Sequence, residues 1–221
     1  MIKADFHIHT CYSIDCLTPL EKIIARCLEL GINCIAVADH NTVTGALKLR
    51  EIAPFKVIVA EEILTPAGEI MGLFLEEAIA RGLSPQETIS RIRSQGGLVA
   101  IPHPFGRSLP WSNNILTSAE VLSQVDIIET FNSRTPFSGS IARARELCKE
   151  QGKVASAGSD AHTLSEIGRA YVEMPEFDGP DGFLNSLVQG KIFGQKSSHL
   201  AHFASTWAKI RKHVFGDPVP V

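Results

Sequence analysis

Histidine and carboxylate residues follow short apolar runs at four separate places in this 221-residue chain. The residues in question are His7 and His9, Asp39 and His40, His103, and Asp160 and His162. An apolar run that ends in His, Asp or Glu is typical of a buried parallel strand whose carboxyl end opens into an active site. Imidazole and carboxylate ligands without thiolates suit Zn, Mn or Fe. The pattern therefore predicts a metal-dependent hydrolase.

The spacing within two of these groups supports the same chemistry. His7 and His9 are two residues apart, as are Asp160 and His162. Residues i and i+2 of an extended chain point to the same side, so both groups of a pair can reach one cation. Gly158, just before the second pair, permits a close backbone approach. His40 and His103 add two further candidate ligands.

Strand and helix patterns alternate along the chain with short connections. The apolar runs predict strands at about residues 2–7, 34–39, 55–63, 69–75, 98–101, 126–131, 154–157 and 170–174. Capping and periodicity signals predict helices at about residues 19–30, from 44, 84–95, 139–151, 180–189 and 202–213. This alternation indicates a parallel barrel or a doubly wound sheet. The ligands come from at least five strands, and a barrel converges more strand ends on one point than an open sheet does, so we favour the barrel.

Length and composition fit one globular domain. No apolar stretch approaches the roughly 20 residues that a membrane-spanning helix needs, and the first residues have no signal-peptide pattern. We therefore expect a cytoplasmic protein without a membrane partner. Oligomeric state cannot be predicted from the sequence.

A basic segment lies near the C-terminus, where residues 182–216 contain no Asp or Glu. Its cations are Lys191, Lys196, Lys209, Arg211 and Lys212. Two interpretations are open: a solvated helix face, or a surface that attracts a phosphate-rich substrate.

The ordered set of motifs resembles the PHP family, the polymerase and histidinol phosphatase superfamily. The motifs, in chain order, are His7-Ile8-His9, Ser13-Ile14-Asp15, Asp39-His40-Asn41-Thr42, Glu61-Glu62-Ile63, Pro102-His103-Pro104 and Gly158-Ser159-Asp160-Ala161-His162. The resemblance implies a distorted (β/α)7 TIM-like barrel with the metal site at the C-terminal ends of the strands. It also implies a single PHP domain over residues 1–221, in which residues 170–221 form a variable C-terminal strand and helix segment.

The resemblance further implies two or three divalent transition metals (Zn, Mn or Fe), held by three sets of ligands. His7, His9, Glu62 and Asp160 would hold the first metal, with Glu62 bridging to the second. His103 and a residue near Glu129–Asn132 would complete the second site; relatives that place a histidine there differ from this chain. Asp15, His40 and His162 would hold the third metal.

Several residues are candidates for roles beside the metals. Arg107 and Arg134 follow ligand-bearing strands and could clamp a phosphate, with Asn132 as a further substrate contact. Asp160, His162 and Arg134 are the catalytic candidates, and the Asp160–His162 segment is a candidate source of the leaving-group proton. Glu61 is interpreted as a supporting or surface carboxylate. Asp39 would either orient an imidazole or cap a helix.

The function predicted from these motifs is hydrolysis of a phosphate monoester or nucleotide-type ester by a metal-bound hydroxide. The partner would be a phosphorylated small molecule or nucleotide, with a nucleic acid as an alternative. Three other functions remain open: a 5'-3' exonuclease-type activity on oligonucleotides, a non-catalytic metal-binding interaction module, and an amidohydrolase-type barrel, whose usual ligand pattern fits Asp160 and His162 poorly.

Overall fold

A computed structural model of the chain describes residues 1–106, 116–198 and 201–216. In this part of the chain the strands are β1 (Ile2–Ile8), β2 (Cys34–His40), β3 (Lys56–Thr65), β4 (Gly68–Leu73), β5 (Leu98–Ile101), β6 (Ile127–Asn132), β7 (Val154–Gly158), β8 (Ala170–Met174) and β9 (Lys191–Gly194). The helices are α1 (Leu20–Leu30), α2 (Thr44–Ile52), α3 (Pro85–Ser94), α4 (Ala119–Leu122), α5 (Ser138–Glu150), α6 (Gly179–Val188) and α7 (Ala201–Phe215). None of these helices has the length and apolarity needed to cross a membrane.

The strands form one sheet in the order β7-β6-β5-β4-β3-β2-β1-β8-β9. β1, β2 and β3 are parallel, as are β5, β6 and β7, whereas β4 is antiparallel to both of its neighbours. β8 and β9 extend the sheet beyond β1 as antiparallel strands. The predicted barrel is confirmed, including the hairpin of β3 and β4. The sequence did not predict β9 or the short helix α4.

The barrel closes where the chain beyond β7 pairs with the end of β1. Ile8 and Ala161 form a parallel bridge, in which the amide of His9 donates to the carbonyl of Ala161 at 2.9 Å. A Cβ atom at Gly158 would overlap the Cβ of His7, so this closure requires a glycine. It also brings the ligand pairs of β1 and of the segment after β7 side by side.

The inner face of the sheet is apolar in its lower part and polar at its carboxyl end. On β3, Ile58 and Ala60 belong to the interior cluster, which Phe183 of α6 also joins, stacking edge-on against Phe6 with 5.1 Å between ring centroids. Strand side chains alternate between faces, so the next inward position on β3 after Ala60 is Glu62. On β2 the inward-facing positions are Ala36, Ala38 and His40. On β4, which runs in the opposite direction, they are Glu69, Met71 and Leu73.

Candidate metal centre

The eight predicted ligands all lie at the carboxyl end of the barrel. The carboxylate of Glu62 is at the middle of the cluster, because four imidazoles surround it. Oε1 of Glu62 lies 2.8 Å from Nε2 of His103, and Oε2 lies 3.2 Å from Nδ1 of His40. The same Oε2 lies 3.5 Å from Nε2 of His7 and 3.6 Å from Nε2 of His9.

The two i, i+2 pairs come together on one side of Glu62. Nε2 of His7 and Nε2 of His9 are 3.2 Å apart. Oδ1 of Asp160 lies 3.2 Å from the His9 nitrogen and 3.8 Å from the His7 nitrogen. These three residues form a compact set of potential metal ligands.

A second compact set contains Asp15, His40 and His162, which the resemblance assigned together, and adds His9. Oδ2 of Asp15 lies 3.3 Å from Nε2 of His40, and Oδ1 lies 3.2 Å from Nε2 of His162. The hydroxyl of Ser13 donates to Oδ1 of Asp15 at 2.8 Å and accepts from the amide of His40, so it holds the carboxylate in place.

The surroundings of His103 differ from the sequence-based assignment. His103 forms a set with His7 and Glu62, and Glu69 of β4 lies 3.9 Å from it and 3.9 Å from His40. Glu69 forms its own set with His40 and Glu62. Sequence reasoning missed Glu69, although its inward parity with Met71 in a hairpin was a usable signal.

Glu129, a sequence candidate for the second metal site, lies behind the imidazoles instead of among the ligand atoms. Its Oε1 is 3.1 Å from Nδ1 of His7, and its Oε2 accepts from the amide of His103 at 2.8 Å and from the side chain of Asn132 at 3.0 Å. A carboxylate at Nδ1 fixes the tautomer of an imidazole and leaves Nε2 free for a cation. Asn132 also donates to Oδ2 of Asp160 at 3.3 Å.

His162 is oriented in a comparable way. Its Nδ1 lies 2.9 Å from the backbone carbonyl of Asp160, which can only accept a hydrogen bond. Nδ1 therefore donates to this carbonyl, and Nε2 faces Oδ1 of Asp15 at 3.2 Å. Glu166, which sequence reasoning did not identify, accepts from the amide of His162 at 3.1 Å and fixes this segment.

Two of the cluster residues have a left-handed backbone, with φ of 25° at His103 and 54° at Asp160. Such a conformation is uncommon for residues other than glycine and costs free energy. At His103 the bond from its amide to Glu129 holds the conformation, and at Asp160 the adjacent closure through Ala161 does so. Asn41 and Phe74 also have a positive φ, so two of these four non-glycine residues of the described chain are predicted ligands.

The electrostatics of the cluster couple its acids to its imidazoles. Burial raises the pKa of Asp15, Glu62 and Asp160, but the surrounding histidines outweigh it and hold the pKa of each carboxyl well below its usual value. Burial lowers the pKa of His40 and His103, yet Glu62 and the other carboxylates raise it to about 9 in each case. At His9, burial and the neighbouring His162 lower the pKa to about 3.

These features fit divalent metals. His9 stays a neutral imidazole, its Nδ1 is buried without a hydrogen-bond partner among the described residues, and its Nε2 faces that of His7. A buried polar atom without a partner is costly. A cation between the two Nε2 nitrogens and the carboxylate oxygens would separate these electron-rich atoms, and the donor types are those that Zn, Mn and Fe accept.

Asp39 and Glu61 are buried acids outside the cluster, and the structure corrects the sequence-based interpretations of both. Asp39 accepts from the amide and the hydroxyl of Thr10, both at 2.6 Å, so it braces the loop after β1 and neither orients an imidazole nor caps α2. Glu61 is fully buried on the opposite face of β3 and accepts from the amide of Ile79 at 2.8 Å. It is therefore no surface residue.

A cavity of about 170 Å³ opens above the cluster. Its lining includes the predicted ligands Asp15, His40, Glu62, His103, Asp160 and His162, together with Asn132, Arg134, Ser205 and Lys209. Arg134 is held from two sides, with Nε 3.6 Å from Glu166 and Nη2 donating to Ser205 of α7 at 2.8 Å. Arg107, the other predicted phosphate contact, lies outside the described residues.

Two cations of the basic segment reach the site from α7. Nζ of Lys209 lies 3.2 Å from Oδ2 of Asp15. Lys212 donates to the backbone carbonyls of Cys11 and, at 2.7 Å, Ser13. These two residues therefore make contacts at the site that a purely solvated helix face would not make, while the Lys209 side chain stays half exposed.

Comparison with family models identifies two matching regions. Residues 5–68 match the PHP domain, and residues 140–192 match the model described as PHP-associated. The uncharacterized protein MJ0417 of Methanocaldococcus jannaschii is 36% identical over 197 residues, which cover 84% of this chain and 79% of the relative.

Solved structures show the same fold at low sequence identity. A two-domain protein of Bacteroides vulgatus, containing a predicted PHP-like metal-dependent phosphoesterase, has a TM-score of 0.70 at 17% identity. The match covers 88% of this chain and 65% of that longer one. An amidohydrolase of Chromobacterium violaceum, solved with bound sulfate and no metal, has a TM-score of 0.65 at 13% identity, covering 78% of this chain and 92% of that one.

Proposed function

This chain belongs to the PHP family, and from that premise we propose that it is a phosphoric ester hydrolase that removes phosphate from a small molecule or nucleotide. The observation that carries the proposal is the convergence of the eight predicted ligands at one end of the barrel, where six of them line a polar cavity of about 170 Å³. A non-catalytic module would have no chemical reason to retain so many buried polar groups.

We propose two or three divalent transition metals, Zn, Mn or Fe, as the cofactors. His7, His9, Glu62 and Asp160 would hold one ion, His103 with Glu62 and Glu69 a second, and Asp15 with His40 and His162 the position of a third. Bound there, such ions would lower the pKa of a coordinated water and neutralise charge on the phosphoryl oxygens.

The remaining cavity residues would position the ester. Arg134 presents a planar guanidinium whose orientation Glu166 and Ser205 fix, which suits it to donate to two non-bridging phosphate oxygens. Asn132, the other predicted substrate contact, already donates its amide hydrogens to Glu129 and Asp160, so it would position Asp160 at the cavity and would not bind the phosphate itself. Asp160 and His162 line the cavity, and because the histidines hold the pKa of Asp160 well below its usual value, His162 is the candidate of the two that would supply a proton to the leaving alcohol.

The size of the cavity favours a small substrate. Pockets for drug-sized ligands usually measure about 300–1,000 Å³, whereas this cavity of about 170 Å³ matches a phosphoryl group with part of a small alcohol. Lys209 and Lys212 bind groups of this protein, so they contribute less than free cations would to binding a long polyanion.

Phosphate release from a panel of esters tests the proposal. Protein stripped with a chelator would be reloaded with Mn, Zn or Fe and offered small sugar and alcohol phosphates, nucleoside monophosphates, and oligonucleotides with a terminal phosphate. We expect metal-dependent release from the monoesters, and none from the Asp160→Ala and His9→Ala variants. Release only from oligonucleotides would favour the exonuclease. If the protein binds metal but releases phosphate with none of the metals, the non-catalytic interaction module would be the better interpretation.

A further inference from the structure

One face of α7 is committed to the metal centre. Ser205, Lys209 and Lys212 follow one another at helical spacing of four and three residues, so they lie on the same side of the helix. Ser205 accepts from Arg134, and Lys212 donates to the loop after β1. These two contacts fix the helix on both sides of Lys209, whose ammonium is then held 3.2 Å from Asp15.

Asp15 differs from the other carboxylates of the cluster in what surrounds it. Its ligand set with His9, His40 and His162 contains a single acid, as does the set of His7, His9 and Asp160, but a lysine ammonium contacts the acid here. Its Oδ1 faces His162, and its Oδ2 is shared between His40 and Lys209. The set therefore offers a third ion a single negative charge, and a lysine already contacts that charge.

We propose that Lys209 is the built-in cation of the third position, so that the protein holds two metal ions and one ammonium group instead of three metals. This inference rests on the metal centre proposed above. A divalent ion at Asp15 would face the ammonium at short range, and the repulsion between them would lower its affinity. Two divalent ions and one ammonium also balance the five carboxylates of Asp15, Glu62, Glu69, Glu129 and Asp160.

The count of bound metals tests this proposal directly. Wild-type protein, Lys209→Met and Arg211→Ala would be equilibrated with Mn or Zn, freed of excess metal by gel filtration, and analysed for metal per chain. Methionine keeps the length and apolar stem of lysine without its charge. Arg211 is the matched control, because it removes a cation from the same helix and makes no hydrogen bond or ion pair among the described residues.

We expect two metals in the wild type and in Arg211→Ala, and three in Lys209→Met, in which the third ion binds roughly tenfold or more tightly than in the wild type by calorimetric titration. Three metals in the wild type, or an unchanged count of two in Lys209→Met, would overturn the proposal.

A second variant, Asp15→Asn, makes the test independent of the folding of Lys209→Met. If lysine occupies the third position, Asp15→Asn leaves the wild-type count at two, and in the Lys209→Met background it returns the count from three to two. A fall from three to two in the wild-type background would contradict the proposal. Metal counts are measured without substrate, so a protein that holds two metals and releases no phosphate would refute the proposed function alone.

Discussion

Carboxyl groups in the cluster of predicted ligands and carboxyl groups outside it have pKa values that are shifted in opposite directions, although both kinds are buried. Burial raises the pKa of all of them, but in the cluster the imidazoles reverse the effect, as at Glu62. Outside it, no imidazole lies close enough to outweigh burial, so the pKa rises to about 6 at Asp5 and Asp39 and to about 7 at Glu61. The neighbours of a buried carboxyl group, more than its burial, therefore decide whether it is suited to bind a cation or to hold the backbone in place.

β3 contains both kinds of acid in consecutive positions. Glu62 faces the cavity and contacts four imidazoles, whereas Glu61 faces the layer between the sheet and the segment around Ile79. Neighbouring residues of a strand point to opposite faces. The pair therefore offers a matched experiment, in which the same change at adjacent positions should have very different results.

The largest expected effect is on activity. Glu62→Gln removes the charge at the centre of the ligand sets, so we expect loss of at least one metal and a fall in metal-dependent phosphate release of about 10³-fold. Glu61→Gln should retain metal content and activity within about threefold, since within the described part of the chain its side chain hydrogen-bonds to the amide of Ile79 and to no predicted ligand. Elemental analysis and initial rates measure both. If both variants lost the same amount of activity, the face of β3 on which an acid lies would not determine its role in the reaction.

A smaller effect is expected at Glu129, which holds His7 without lying among the ligand atoms. Glu129→Gln should weaken metal binding about 10–100-fold, the usual cost of losing a carboxylate behind a ligating histidine, while the folded structure persists. Competition with a chelating dye measures the affinity. Glu146→Gln on the exposed side of α5 is the control. If Glu129→Gln binds metal as tightly as this control does, Glu129 does not stabilise the metal centre.

The sequence predicted the barrel and the convergence of its ligands because both depend on local pattern. Apolar runs identify the parallel strands, and a ligand at the end of each run must lie at the same rim. The position of Glu69 was not predicted although the hairpin was, because Glu69 stands at the start of β4 and no apolar run ends at it; the antiparallel pairing with β3 turns it toward the carboxyl end of the barrel.

Long-range packing decides the other features that the sequence did not predict. Lys209 reaches Asp15 from a helix 194 residues later in the chain, and nothing in the local pattern of α7 distinguishes it from Arg211. Asp5 was missed for a similar reason: it accepts from the amides of Ser159 and Gly168, which only barrel closure brings near it. Contacts between distant segments leave no periodic signal in a sequence.

The smallest expected effect is a pH-dependent change in stability at Glu61. Burial raises the pKa of this carboxyl from 4.5 to about 7, so the folded state binds its proton more tightly than the unfolded state does. The free energy that this proton adds to the stability of the fold is fully present below the pKa of the unfolded state, and it is lost as the pH rises through the pKa of the folded state.

Glu61→Gln resembles the protonated acid at every pH. In chelator-treated protein, urea unfolding should therefore show the variant gaining about 2 kcal/mol on the wild type between about pH 5 and pH 8. Glu146→Gln should show no such trend, and a gain in the opposite direction would mean that Glu61 is ionised in the fold and belongs electrostatically with Glu62.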